Sequence, residues 1–252
     1  MAEFESPYDH LTFADFVKYK ARHILDANSQ RFLKAVTESS EKRKATLGAG
    51  NILYRSQLAN DWRVQPIKDE NGVDVDSVEV PIPAPCERMI PRSDRASEGR
   101  VNAKGIPCLY LSNDADTAMA EVRPWIGSYV SVAAFRVQRD LTVVDCSSDS
   151  AHWLSFGKEL PPDKCEENAW GAINRAFSEP VARTDDVADY AATQVLAEAF
   201  RFGGFDGIVY GSKLGTGKNV AIFDLVAARP INGYLFQVES LNPVFSRRPE
   251  SW

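Results

Sequence analysis

Two pairs of strand-forming runs in this chain follow one another with no helix inside the pair, and that constrains the fold more than any other feature. Residues 129–137 alternate well enough for a strand, and 141–144 read as another a few residues later. Residues 207–210 and 219–225 form a second such pair, joined by a glycine-rich turn that predicts a hairpin. Residues 52–55, 78–82, 107–112 and 233–239 supply further short strands. Helical periodicity is confined to separate stretches, so the chain lacks the regular βαβ rhythm of a doubly wound sheet. An α+β fold is expected instead.

The helical stretches are residues 12–47, 116–123, 163–177 and 187–202. The first carries a stripe of Phe13, Phe16, Val17, Ile24 and Leu25, with Thr12 and Asp15 as a start signal, and a weaker stripe of Phe32, Leu33 and Val36. Gly48-Ala49-Gly50-Asn51 interrupts the pattern and places a boundary there. Residues 57–105 are polar, turn-rich and punctuated by Pro81, Pro83, Pro85 and Pro91. Such a segment reads as a binding loop or an insert. A loop is expected over residues 146–162, and Gly203 is the expected cap of the 187–202 helix.

Composition removes several function classes. Of 252 residues, 44% are hydrophobic and 25% charged, which is enough apolar material for a sizeable core. A net charge of −6 argues against a nucleic-acid-binding surface. The four cysteines are far apart in sequence, so neither a zinc knuckle nor a redox pair is spelled out. His10, His23 and His152 are scattered, so no metal site or histidine-centred triad is expected. Neither a leader nor an apolar run long enough for a membrane span is seen, and a cytoplasmic protein with reduced thiols is expected.

The residues that carry chemistry lie at strand ends and turns. Gly215-Thr216-Gly217-Lys218 imitates a phosphate-binding loop, but the spacing to Gly211 is wrong and a strand follows it, so a nucleotide triphosphatase is rejected. Lys213 and Lys218 remain in reach of a phosphate. Arg100, in a Gly99–Asn102 turn, is either a solvated arginine or a bidentate grip on phosphate or carboxylate. Glu121 is either a helix-surface carboxylate or a partly buried group beside a sugar. Tyr54 and Tyr110 are either sheet tyrosines or stacking surfaces for a planar base. Ser212, with no histidine nearby in sequence, is not an acyl-transfer nucleophile.

Three blocks together resemble the RES domain family, named for an arginine, a glutamate and a serine. They are Gly99-Arg100-Val101-Asn102-Ala103-Lys104-Gly105, then Leu109-Tyr110-Leu111 leading to Ala120-Glu121. The last and most specific runs from Tyr190-Ala191-Ala192-Thr193-Gln194 through Asp206-Gly207-Ile208-Val209-Tyr210-Gly211-Ser212 to Asn219-Val220-Ala221-Ile222-Phe223. The resemblance covers residues 50–225. It implies an ADP-ribosyltransferase-like mixed sheet with flanking helices, catalytic over residues 50–252, behind an N-terminal helical extension of residues 1–49.

The resemblance also implies a substrate and roles. NAD⁺ is the substrate, no prosthetic group is needed, and the nicotinamide–ribose bond is cut by hydrolysis or phosphorolysis. Arg100, Tyr110, Glu121 and Ser212 become the catalytic set. Arg55, Tyr54, Asn102 and Asn219 become ligand contacts. Glu121 would stabilise the cationic sugar, Arg100 and Arg55 would hold the pyrophosphate, Tyr110 would cap the nicotinamide, and Ser212 would hydrogen-bond its ribose or amide. Such a protein is a toxin or defence effector, neutralised by a helix-turn-helix antitoxin; self-association is a further expectation. Two other readings stay open: a mono-ADP-ribosyltransferase acting on a macromolecule, and a catalytically silent nucleotide-binding module.

Overall fold

The computed structural model describes residues 3–147, 160–179 and 187–242. The loop expected over 146–162 therefore falls mostly outside the described residues, His152 with it. Five helices are described: α1 (Asp9–Tyr19), α2 (Ala27–Ser40), α3 (Ala115–Glu121), α4 (Pro162–Ser178) and α5 (Ala191–Phe202). The ten described strands are β1 (Lys44–Leu47), β2 (Ile52–Gln57), β3 (Asp61–Lys68), β4 (Asp74–Ile82), β5 (Leu109–Ser112), β6 (Tyr129–Val137), β7 (Leu141–Asp145), β8 (Gly207–Gly211), β9 (Lys218–Ile222) and β10 (Ala228–Gln237).

Eight strands form one sheet in the order β1-β7-β8-β9-β5-β2-β6-β10. Only β7 and β8 pair in parallel; the other pairs are antiparallel. This is the expected α+β class. Connection length then dictates a curl. From Val137 at the end of β6 to Leu141 at the start of β7 there are four residue steps, about 14 Å at full stretch. Five strand spacings separate β6 from β7 in the sheet order, about 24 Å if the sheet were flat. The sheet must therefore roll up. At this corner the β2–β6 ladder runs past the strand ends, with Gly50 N–H donating to the Val137 carbonyl (2.9 Å) and Val137 N–H to the Asn51 carbonyl (2.9 Å). Gly50, at φ 86°, supplies the left-handed turn between β1 and β2.

The curl divides the core in two. Inside it, Leu53, Leu109, Leu111, Phe135, Leu141, Val143, Val220 and Ile222 pack on one another. On the outer face Val144, Ile208, Tyr210 and Ala221 meet Trp170, Ile173 and Phe177 of α4 and Leu196 and Phe200 of α5.

Several expectations over the N-terminal segment are corrected here. Residues 12–47 are not one helical stretch: α1 begins earlier, at Asp9, whose carboxylate accepts from the Glu5 and Ser6 N–H groups. Residues 41–43 make a 3-10 turn and 44–47 are strand β1, paired with β7 from Lys44–Val144 to Leu47–Leu141. A tertiary pairing overrides local helix propensity there. Phe13, Val17, Phe32 and Val36 belong to the same core cluster as α4 and α5. The Trp170 indole, between α2 and the sheet, donates to Ser39 Oγ (3.1 Å) and lies under the Arg43 guanidinium. The first helices are thus built into the fold.

The polar stretch after β2 also has more structure than its composition suggested. Strands β3 and β4 form an exposed hairpin turned at Asp69, whose carboxylate accepts from Asn71 and Val73 N–H, with Gly72 at φ 81°.

His10 gives the fold a pH dependence. It is buried against Phe32, its Nε2 has no partner, and desolvation followed by the nearby Arg175 charge lowers its pKa from 6.5 to about 4. The unfolded chain therefore binds a proton below pH 6.5 that the folded chain refuses until pH 4. Stability is full above pH 6.5 and falls as the pH drops from 6.5 toward 4, by up to about 3 kcal/mol. Urea melts at pH 7 and pH 4.5 should show the loss, and His10→Leu should flatten most of it.

Candidate active site

Strands β2 and β5 are neighbours in the sheet but share a single paired position, Tyr54 with Ser112. Beside that pair the sheet parts, and a cleft of about 160 Å³ occupies the gap. Tyr54, Arg55 and Ser56 line it from β2, Tyr110 and Ser112 from β5, Glu121 from α3, Tyr210 from β8 and Asn219 from β9.

Helix α3 aims Glu121. Asp114 caps its N-terminus by accepting from Thr117 N–H (2.7 Å), and Arg123, at φ 48°, ends the helical path before Pro124. Thr117 Oγ1 donates to Asp114 and accepts from Gly217 N–H (2.9 Å), which clamps the glycine-rich β8–β9 turn onto the helix. A Cβ on Gly215 would lie 2.7 Å from Thr117 Oγ1, so this clamp requires glycine. The motif that imitates a phosphate-binding loop is a docking element for α3. Lys213 is exposed outside the cleft lining, and Lys218 reaches Asp145 (3.5 Å) rather than the cleft.

Glu121 Oε1 accepts two hydrogen bonds, from Ser212 Oγ (2.7 Å) and Asn219 Nδ2 (2.6 Å). Asn219 Oδ1 accepts in turn from the buried Ser112 hydroxyl (2.8 Å). Ser212 Oγ also accepts from the Leu214 and Gly215 N–H groups (3.1 and 2.9 Å). A hydroxyl has one donor and two lone pairs, so Ser212 has nothing left for a ligand. Its place is behind the glutamate, a correction to the role of ribose or amide contact. Among the described residues, Glu121 has no cation within ion-pair distance and its Oε2 accepts no hydrogen bond. The result is a fixed carboxylate with one oxygen uncommitted.

Arg55 has no such company. Its guanidinium is largely buried between β2 and β5, its Nε has no partner, and its one hydrogen bond is a long one from Nη1 to the Tyr110 carbonyl (3.4 Å). Desolvation lowers its pKa. A buried guanidinium without a carboxylate is costly unless an anion joins it.

Tyr110 is half-buried, and burial, with Cys108 and Tyr210 adding, raises its pKa well above the usual phenol value. Its hydroxyl donates to Asn102 Oδ1 (2.6 Å) and accepts from Val101 N–H (2.9 Å). The ring can cap a ligand; the hydroxyl cannot exchange protons with one. Gly99 is needed because a Cβ there would stand 2.6 Å from that hydroxyl. Asn102 uses its amide on the carbonyls of Ser97, Ala103 and Ile106 (2.8, 3.2 and 2.8 Å), so it shapes the Gly99–Asn102 turn and has no amide hydrogen to spare for a ligand. Gln194 of α5 fastens the same turn, donating to the Gly99 and Asn102 carbonyls (2.9 and 3.1 Å). The Tyr-x-x-Thr-Gln block carried this signal without revealing its purpose.

Arg100 does not line the cleft. It donates to the Phe177 carbonyl near the C-terminus of α4 (3.0 Å), and its charge lies near the Tyr210 hydroxyl. The structure thus places it beside Tyr210, which lines the cleft. Arg100→Ala should therefore lower stability by about 1–2 kcal/mol and weaken activity together, with Arg100→Lys restoring part of both. Thermal melts read beside turnover test this coupling. Activity lost with an unmoved melting temperature would place Arg100 at the ligand.

Cys108 sits beneath Tyr110; burial pushes its thiol up to about 12, which leaves it inert. All four cysteines are free, and only Cys86 is exposed. Among the described residues no cluster of His, Cys, Asp and Glu is arranged to hold a metal, and no helix is long and apolar enough to cross a membrane.

Fold and cleft together define an α+β protein with a carboxylate set in a split sheet beside a buried arginine. The chain belongs to the RES domain family, whose model matches residues 80–235. No curated protein sequence matches it. Among solved structures it is similar to a chain in the crystal structure of the M. tuberculosis MbcT–MbcA toxin–antitoxin complex. That likeness has 14% identity and a TM-score of 0.44, covering 80% of this chain and 92% of that one.

Proposed function

We propose that this chain cleaves the nicotinamide–ribose bond of NAD⁺. The observation that carries the reading is Glu121, a carboxylate held at one oxygen by Ser212 and Asn219 and uncommitted at the other. Nicotinamide in NAD⁺ bears a positive charge, takes the bonding electron pair as it leaves, and departs neutral, so no general acid is needed. Positive charge then grows on the ribose, and a preorganised carboxylate stabilises it. An oxygen of water or phosphate adds to that carbon and releases a proton. Arg55 takes the pyrophosphate, satisfying its buried charge. Tyr54 and Tyr110 flank the planar ring. Membership of the RES domain family supports the same assignment. It also supports a toxin or defence role with a cognate helix-turn-helix antitoxin as partner.

The test is NAD⁺ incubated with the purified chain, with and without phosphate, its products followed by NMR. Nicotinamide with ADP-ribose identifies a glycohydrolase. Nicotinamide with a phosphorylated ADP-ribose, formed only with phosphate, identifies a phosphorylase. Label from NAD⁺ retained on a macromolecule identifies a transferase, and binding without turnover a silent module.

A further inference from the structure

A second pocket, of about 250 Å³, adjoins the cleft and shares Arg55 and Tyr110 with it. Three more guanidiniums line it: Arg88, Arg92 and Arg95. Acidic groups are too few to balance them. Asp94 alone pairs with Arg92, through two bonds (3.1 and 2.9 Å), and reaches Arg95 at 3.9 Å. Glu98 lines the pocket but pairs with none of these arginines, and Arg88 has no carboxylate within ion-pair distance among the described residues. Ile90 and Pro91 give the pocket an apolar wall. An apolar wall beside surplus guanidinium suits a purine nucleoside with phosphate attached.

This arrangement has a direction. If nicotinamide ribose lies at Glu121 and pyrophosphate at Arg55, as the proposed function has it, the adenosine half enters the second pocket. A cleft of about 160 Å³ is too small to keep both halves, since pockets that enclose drug-sized ligands start near 300 Å³. The pyrophosphate is served by Arg55. Arg88, Arg92 and Arg95 then face the adenosine ribose, where arginine is the residue that accommodates a 2′-phosphate. We infer that this chain prefers a dinucleotide phosphorylated on its adenosine ribose, NADP⁺, to NAD⁺, and that the Arg88–Arg92–Arg95 pocket makes the choice.

Two measurements test it. The first compares kcat/KM for NADP⁺ and NAD⁺; a preference for NADP⁺ of about tenfold or more is expected, and Arg88→Ala with Arg95→Ala should pull the ratio toward one. A ratio at or below one for the parent overturns the inference and leaves the proposed function standing. The second is calorimetric binding of adenosine 2′,5′-bisphosphate against AMP, which requires no catalysis. Tighter binding of the bisphosphate by about tenfold, lost in the double variant, supports the pocket even if neither dinucleotide is cleaved, in which case only the proposed function falls. Equal binding of the two overturns it. The arginines are on exposed positions, so the double variant is expected to fold.

Discussion

Glu121→Gln is expected to slow NAD⁺ cleavage by about 10²- to 10³-fold, the usual cost of removing a preorganised electrostatic group from a transition state. The substitution isolates charge from shape. Both hydrogen bonds to Glu121 arrive at Oε1, from Ser212 and Asn219. A glutamine side-chain oxygen accepts both of them, so the cleft keeps its form and the melting temperature stays close to the parent's. What changes is the uncommitted atom, which becomes an amide that repels a developing cation. The loss should appear in kcat, because the positive charge exists only as the bond breaks. Turnover by the variant at the parental rate would remove Glu121 from its role. Asn219→Ala offers the complementary case: it keeps the charge but strips one of its supports, and a smaller loss, with a lower melting temperature, is expected.

The sequence named Glu121 and Ser212 from separate motifs, 91 residues apart, and they meet in one hydrogen bond. Motif residues of this kind are readable because their identity is chemical and survives ignorance of the fold. Which of them touches the ligand is not readable, since that depends on how hydrogen-bonding capacity is divided. Ser212, Asn102 and the Tyr110 hydroxyl spend theirs on the protein, and sequence order carries no trace of it. Ser112, Tyr210 and Gln194 went unassigned because each acts through a partner more than 80 residues away. The fold divides similarly. Strands β6 and β8 are plain from apolar pattern and turn residues, and residues 78–82 show the end of β4, whereas β3 and the start of β4 are masked by exposure of both faces, which removes the alternation that betrays a strand. The split between β2 and β5 is a matter of register and curl. Such features are set by pairings across the whole sheet and leave no mark in any one segment.

Arg55→Met is expected to raise stability while destroying function. The arginine is largely buried, desolvation lowers its pKa, its Nε is unpartnered, and its one bond is the 3.4 Å contact with the Tyr110 carbonyl. Folding therefore removes a charge from water and returns almost nothing for it. Methionine has a similar reach and no charge, and replacing buried ionic groups by apolar ones of like volume is often stabilising by about 1–4 kcal/mol. A gain at the low end of that range, one or two kcal/mol, should show as a higher urea midpoint with the slope unchanged. On the proposed function the same change removes the cation assigned to the pyrophosphate, and kcat/KM for the dinucleotide should fall by about 100-fold or more, the worth of a strong charge-assisted contact. Arg55→Lys should recover little, since a point charge lacks the fork that spans two phosphate oxygens. A stabilised, inactive Arg55→Met is the signature of a residue kept for a ligand at the expense of the fold. A destabilised variant with normal turnover would mean instead that Arg55 is a strut between β2 and β5, its guanidinium serving the open edge where the two strands part.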